Sequence, residues 1–156
     1  MILSELIAQN VKNCGDRVAF TMKFGYRTKN LTYKELYTLA RQVALFLQSH
    51  GLKKGDKVST VMSNRLELGT MFWAAAKTGI IIVPSSPMLQ DEGLKTLFLD
   101  CDSAMVIADA GFVDSLNRIR HDLPGIQSDR FVLAGSIDPP DGFTTYEDFV
   151  KAAPNV

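Results

Sequence analysis

Apolar residues recur every three or four positions at the start of this chain, at Leu3, Leu6, Ile7 and Val11. That spacing predicts a short amphipathic helix over 2–11, ending near Asn13-Cys14-Gly15. Two strand-like runs follow, RVAFTMK (17–23) and YRTKNL (26–31), flanking Phe24-Gly25. They predict a β-hairpin in which Gly25 supplies the positive φ of the turn. In LTYKEL (31–36), Thr32 can cap a helix, Glu35 can return the bond three residues later, and Leu31 can pack on Leu36. This is a capping box with a hydrophobic staple. The stripe Leu36, Leu39, Ala40, Val43 and Leu47 then carries a long helix, about 33–50, to Gly51, where a left-handed terminating residue belongs.

Beyond Gly51 the period switches back and forth. Strand patterns at 57–62, 80–84, 104–108 and 131–134 alternate with helical patterns at 65–78, 90–100, 111–121 and 145–152. Such alternation implies an α/β fold: a parallel sheet with crossover helices on both faces, preceded here by the N-terminal helix and hairpin. The uninterrupted apolar run of the second parallel strand predicts a strand covered on both faces, halted at Pro84. Small residues Gly69 and Ala74-Ala75-Ala76 suit a helix backed closely onto the sheet, with Phe72 and Trp73 assigned to core packing. The segment Ser136 to Gly142, SIDPPDG, reads as a loop before the last helix.

The size and charge narrow the partners. With 156 residues the chain suits one compact domain. Lys plus Arg and Asp plus Glu both number 17, which leaves no net field for a nucleic-acid backbone or an anionic membrane. The longest charge-free stretch, 78–90, contains two prolines and is too short for a transmembrane segment, which needs about 20 apolar residues. Glu5 sits where a signal peptide would be cationic, and Cys14 and Cys101 form no paired motif; a reducing, cytoplasmic setting fits this usage.

No catalytic constellation emerges, so the catalytic and metal assignments are none. There is no GxGxxG, GLKKGDK (51–57) fails the phosphate-loop pattern, and no GxSxG elbow occurs. Lys77-Thr78-Gly79 lacks any SxxK partner, and Asp100-Cys101-Asp102 reads as a solvated helix end. His50 and His121 fall near helix C-termini, where a partly charged imidazole suits the dipole. Two segments remain, Ser63-Asn64 and Pro84-Ser85-Ser86-Pro87, because ligands of open α/β sheets bind beyond the carboxyl ends of strands. Asn64 can alternatively serve as an N-cap with Glu67 completing the box.

Taken in order, LTYKEL, GLKKGDKV, SNRLE, AAAKTGIIIVPSSPML and DSAMVIAD resemble the amino-terminal portion of the adenylate-forming superfamily, over about residues 16–150. That superfamily includes acyl-CoA synthetases, luciferases and peptide-synthetase adenylation domains. LTYKEL resembles its first core motif without departure. AAAKTGIIIVPSSP resembles its second, although Pro-Ser-Ser-Pro departs from the peptide-synthetase ending toward the acyl- and aryl-CoA ligases. The resemblance implies the first subdomain of an acyl-CoA synthetase-like fold and an acid–thiol ligase such as a long-chain fatty acid–CoA ligase. A complete enzyme of that kind uses ATP, magnesium and CoA with a carboxylate substrate.

The chain reaches KAAPNV without the glycine-rich phosphate loop of the family. The resemblance therefore implies one N-terminal subdomain over 1–156, truncated before that loop, inactive alone and binding no cofactor by itself. Its exposed truncation face would be open to self-association. By position alone, Asn64 and Ser85 are candidates for lining the acyl or CoA passage. A free-standing α/β binding module and a nucleotide-binding protein in its own right are the alternatives.

Overall fold

The computed structural model describes residues 3–136 and 138–151. Ile2, Ile137 and Ala152, which fall in the expected first helix, loop and last helix, lie outside the described residues. The elements are α1 (Leu3–Cys14), β1 (Val18–Phe24), β2 (Arg27–Thr32), α2 (Tyr33–Ser49), β3 (Lys57–Val61), α3 (Leu66–Thr78), β4 (Ile81–Ser85), α4 (Asp91–Asp100), β5 (Ser103–Asp109), α5 (Val113–Ile119), β6 (Phe131–Ala134), β7 (Thr144–Thr145) and α6 (Tyr146–Lys151).

Local chemistry sets the first half. The hairpin closes at Phe24 opposite Arg27, with Gly25 at φ +57°. At the start of α2, Thr32 Oγ1 accepts the Glu35 N–H at 3.2 Å and the Glu35 carboxylate accepts the Thr32 N–H at 2.8 Å, forming the expected capping box. The helix ends as a Schellman motif: the N–H of Gly51 donates to Gln48 at 2.9 Å and that of Leu52 to Leu47 at 3.1 Å.

The five strands run parallel in the order β4-β3-β5-β6-β7. From β3 the chain steps one way to β4, then crosses back over β3 to β5. Right-handed crossovers in opposite directions place their helices on opposite faces. Accordingly α2, α3 and α6 pack one face, around Leu47, Val58, Met71 and Ile107. Helices α4 and α5 pack the other, around Leu94, Phe98, Val106 and Phe131. Full burial of each such side chain contributes about 1.5–3 kcal/mol.

Several expectations are corrected. The apolar strand β4 is an edge strand, with Ile81 47 % exposed, because the chain reverses its direction across the sheet there. Nor does Pro84 halt it, since β4 continues to Ser85. The Ile81 N–H donates to Asp56 at 2.8 Å, so by alternation the Pro84 peptide faces away from β3 and its missing donor costs the ladder nothing. Ala74 and Ala75 do pack in the core, whereas Gly69 faces the hairpin: a Cβ there would lie 2.8 Å from the Phe20 ring. The expected helix 111–121 is a seven-residue helix between two 3₁₀ turns, and the short strand β7 precedes α6.

Candidate functional site

The strand order 2-1-3-4-5, counted along the chain from β3, puts a topological switch point between β3 and β5. Open α/β sheets bind ligands in the crevice outside the carboxyl ends of such a pair. Here β3 runs into Met62-Ser63-Asn64-Arg65 before α3, and β5 ends on Asp109. The Ser63 N–H and hydroxyl both donate to Asp109 Oδ2 at 2.8 Å. Arg65 donates to Asp109 Oδ1 at 3.3 Å and to both oxygens of Glu67 at 3.3 Å. From β6, Gly135 at φ +78° lets the backbone pass beneath the Arg65 guanidinium, where a Cβ would approach within 2.8 Å. The ends of β3 and β5 and the start of α3 are thus tied by one charged network, with the end of β6 passing beneath it.

Its electrostatics follow from this geometry. Burial pushes the Glu67 carboxyl up, but the hydrogen bond and charge of Arg65 outweigh burial and hold it below the usual range. Burial opposes the charge on Arg65, and its two carboxylate partners reverse that and stabilise the cation. On the α3 face, burial raises the Tyr146 phenol well above its ordinary value.

The network revises the reading of Asn64. The N-cap of α3 is Arg65, extended at φ −130° and ψ 159°, with no side-chain cap bond. Glu67 does not return a bond to Asn64 because Arg65 holds both its oxygens. Asn64 is instead exposed and lines a groove of about 540 Å³ between β1 and α3. Ser85 lies at the end of β4 opposite Val61, 8 % exposed, and its hydroxyl has no hydrogen-bond partner among the described residues. Ser85 is not part of the groove lining, so the groove does not join the two candidates. Phe72 and Trp73 also line this groove, and Phe72 is 44 % exposed, so core packing does not account for it.

Asp109, Arg65 and Gly135 were missed in the sequence, and the available signal was a carboxylate closing an apolar strand, AMVIAD. The histidines are structural or exposed: His50 stacks on Phe46 with ring centroids 3.8 Å apart, and His121 lies in an exposed turn. Among the described residues no three His, Cys, Asp or Glu side chains gather in a metal-binding group, and no helix is long and apolar enough to cross a membrane.

A phosphate at the switch-point crevice would need free N–H donors at the start of a helix. The Ser63 N–H and hydroxyl and Arg65 serve Asp109 instead, whereas the first turn of α3 carries no side-chain cap.

Residues 7–153 match the AMP-binding enzyme family. The chain belongs to that family. It is 35 % identical over 103 residues to an acetyl-coenzyme A synthetase of Rhizobium rhizogenes, covering 65 % of this chain and 16 % of the relative. To an acetyl-coenzyme A synthetase of Brucella canis it is 33 % identical over 108 residues, covering 67 % and 17 %. The chain therefore spans about a sixth of the length of the curated relatives it matches. In fold it resembles the anthranilate CoA ligase AuaEII, solved with anthranoyl-AMP, at a TM-score of 0.88 and 21 % identity over 100 % of this chain and 29 % of the other. It also resembles a benzoate CoA ligase from Burkholderia xenovorans, at a TM-score of 0.82 and 17 % identity, with coverage of 100 % and 29 %. The parallel sheet flanked by helices, with the preceding helix and hairpin, is the architecture these CoA-ligase structures share with this chain.

Proposed function

We propose that this chain is the amino-terminal scaffold subdomain of an ATP-dependent acid–thiol ligase. In the whole enzyme a carboxylate oxygen attacks the α-phosphorus of ATP and pyrophosphate leaves; the CoA thiol then attacks the acyl carbon and AMP leaves. The acid is a fatty or aryl carboxylate, and the setting is cytoplasmic. The observation that carries the scaffold reading is the Asp109 carboxylate, which takes the donors of Ser63 and Arg65 at the crevice where a self-sufficient nucleotide-binding sheet would hold phosphate. ATP, magnesium and CoA are held by residues outside these 156, and Asn64 and Ser85 line the acyl or CoA passage. The buried hydroxyl of Ser85, without a hydrogen-bond partner among the described residues, supports its part in that passage. Exposed Ile81 and Met88, at 47 % and 86 %, support self-association of the isolated chain along the β4 edge.

The test is ATP–pyrophosphate exchange with acetate, benzoate, octanoate and palmitate. The 156-residue chain is expected to give none, and the protein read from the coding frame beyond Val156 is expected to exchange with at least one acid. Exchange by the short chain alone refutes the scaffold reading.

A further inference from the structure

The groove between β1 and α3 has a composition that its neighbours lack. Its lining includes Lys23 and Arg65 and no carboxylate, in a chain whose acidic and basic residues balance. Arg65 is committed to Glu67 and Asp109, whereas Lys23 has no ion-pair partner among the described residues. By contrast, the smaller cavity on the other side of α3, about 240 Å³, opposes Lys29 and Lys151 with Glu67 and Glu147 and has no charge preference. The β1–α3 groove also gathers three aromatic side chains, Phe20, Phe72 and Trp73, and its volume of about 540 Å³ falls within the range of small-molecule sites, about 300–1,000 Å³. Gly69 admits the Phe20 ring at the groove floor, and Asn64 adds an exposed amide at the end nearest the charged network.

Flat aromatic walls reward a planar ring by stacking, and an unpaired ammonium without a competing carboxylate rewards an anion. We propose that the groove between β1 and α3 is a binding site for small planar aromatic anions, with the ring against the Phe20, Phe72 and Trp73 side chains and the acid group toward Lys23 and Asn64. The site is independent of the ligase reading, since it needs no residue beyond this chain.

Trp73 is the only tryptophan, so its emission reports the groove directly. The 156-residue chain is titrated with 2-naphthoate and, in parallel, with neutral 2-naphthamide. Saturable quenching by the naphthoate is expected, with the amide binding about tenfold more weakly. Lys23→Ala should weaken the naphthoate about threefold, as for an exposed ion pair, and Lys23→Glu about tenfold. Phe72→Ala, at a half-exposed position that leaves the core intact, should weaken both ligands together. Linear, non-saturating quenching, equal affinity for amide and acid, or indifference to Lys23→Glu in a variant with parent-like circular dichroism overturns the proposal. Absence of quenching with concentration-dependent sedimentation that Phe72→Ala abolishes also overturns it, and assigns the groove to a second copy of the chain.

Discussion

Replacing Asp109 by alanine removes the acceptor that joins the β3–α3 turn to the end of β5. Two donors of Ser63 lie 2.8 Å from its carboxylate and Arg65 lies at 3.3 Å. The Asp109 side chain is 20 % exposed and Ser63 is open to water, so freed donors are partly resolvated. Each Ser63 bond therefore contributes about 1 kcal/mol, near the neutral value and below the buried charge-assisted one. The Arg65 pair, screened and long, adds no more than about 0.5 kcal/mol. The expected loss is about 2–3 kcal/mol, which for a chain of this size lowers Tm by about 5–10 °C. Asp109→Asn keeps an oxygen for Ser63 and should lose about half as much. Thermal melts followed by circular dichroism, with a double-mutant cycle against Arg65→Met, measure these terms. The Arg65 coupling should stay below about 1 kcal/mol. An Asp109→Ala protein melting within about 2 °C of the parent would refute the argument that this carboxylate ties the crevice shut.

Gly135→Ala places a Cβ 2.8 Å from the Arg65 guanidinium at a φ of +78°; it should cost about 1–2 kcal/mol by urea titration, and less on top of Asp109→Ala. Hydrogen bonds from Arg118 and Ser115 hold the Asp91 carboxyl at about 2, against 3.8 when free. Its folded value being the lower, the contribution is complete above the free value and fades as pH falls from about 4 to 2. Asp91→Asn should flatten stability over that window in acid denaturant titrations. For Tyr146 the folded value is the higher, so stability holds below pH 10 and declines as pH rises past it, where only the unfolded phenol ionises. Tyr146→Phe should give a shallower decline between about pH 10 and 12 in alkaline melts.

Features written in neighbouring residues were legible in the chain alone. The Thr32–Glu35 box spans four residues, the hairpin turn two, and the strand–helix alternation follows from period alone. The order of motifs from LTYKEL to DSAMVIAD likewise sufficed for the family, because it runs through successive elements from the start of α2 to the end of β5.

Tertiary structure decided what depends on pairing between distant segments. The apolar run of β4 is compatible with a central or an edge strand, and only the reversal of the chain after β4 makes it an edge. Ser63 and Asp109 stand 46 residues apart and carry no mutual signal, yet they bond across the switch point, and Arg65 beside them holds both Glu67 oxygens and so takes Asn64 out of a local capping box. Phe72 and Trp73 satisfy a helical core pattern, and only the docking of Phe20 on Gly69 shows that they border a groove instead. Short-range hydrogen bonds and periodicity are fixed by the residues that make them; which faces meet is fixed by the sheet's crossovers, and that is where the candidate site was made.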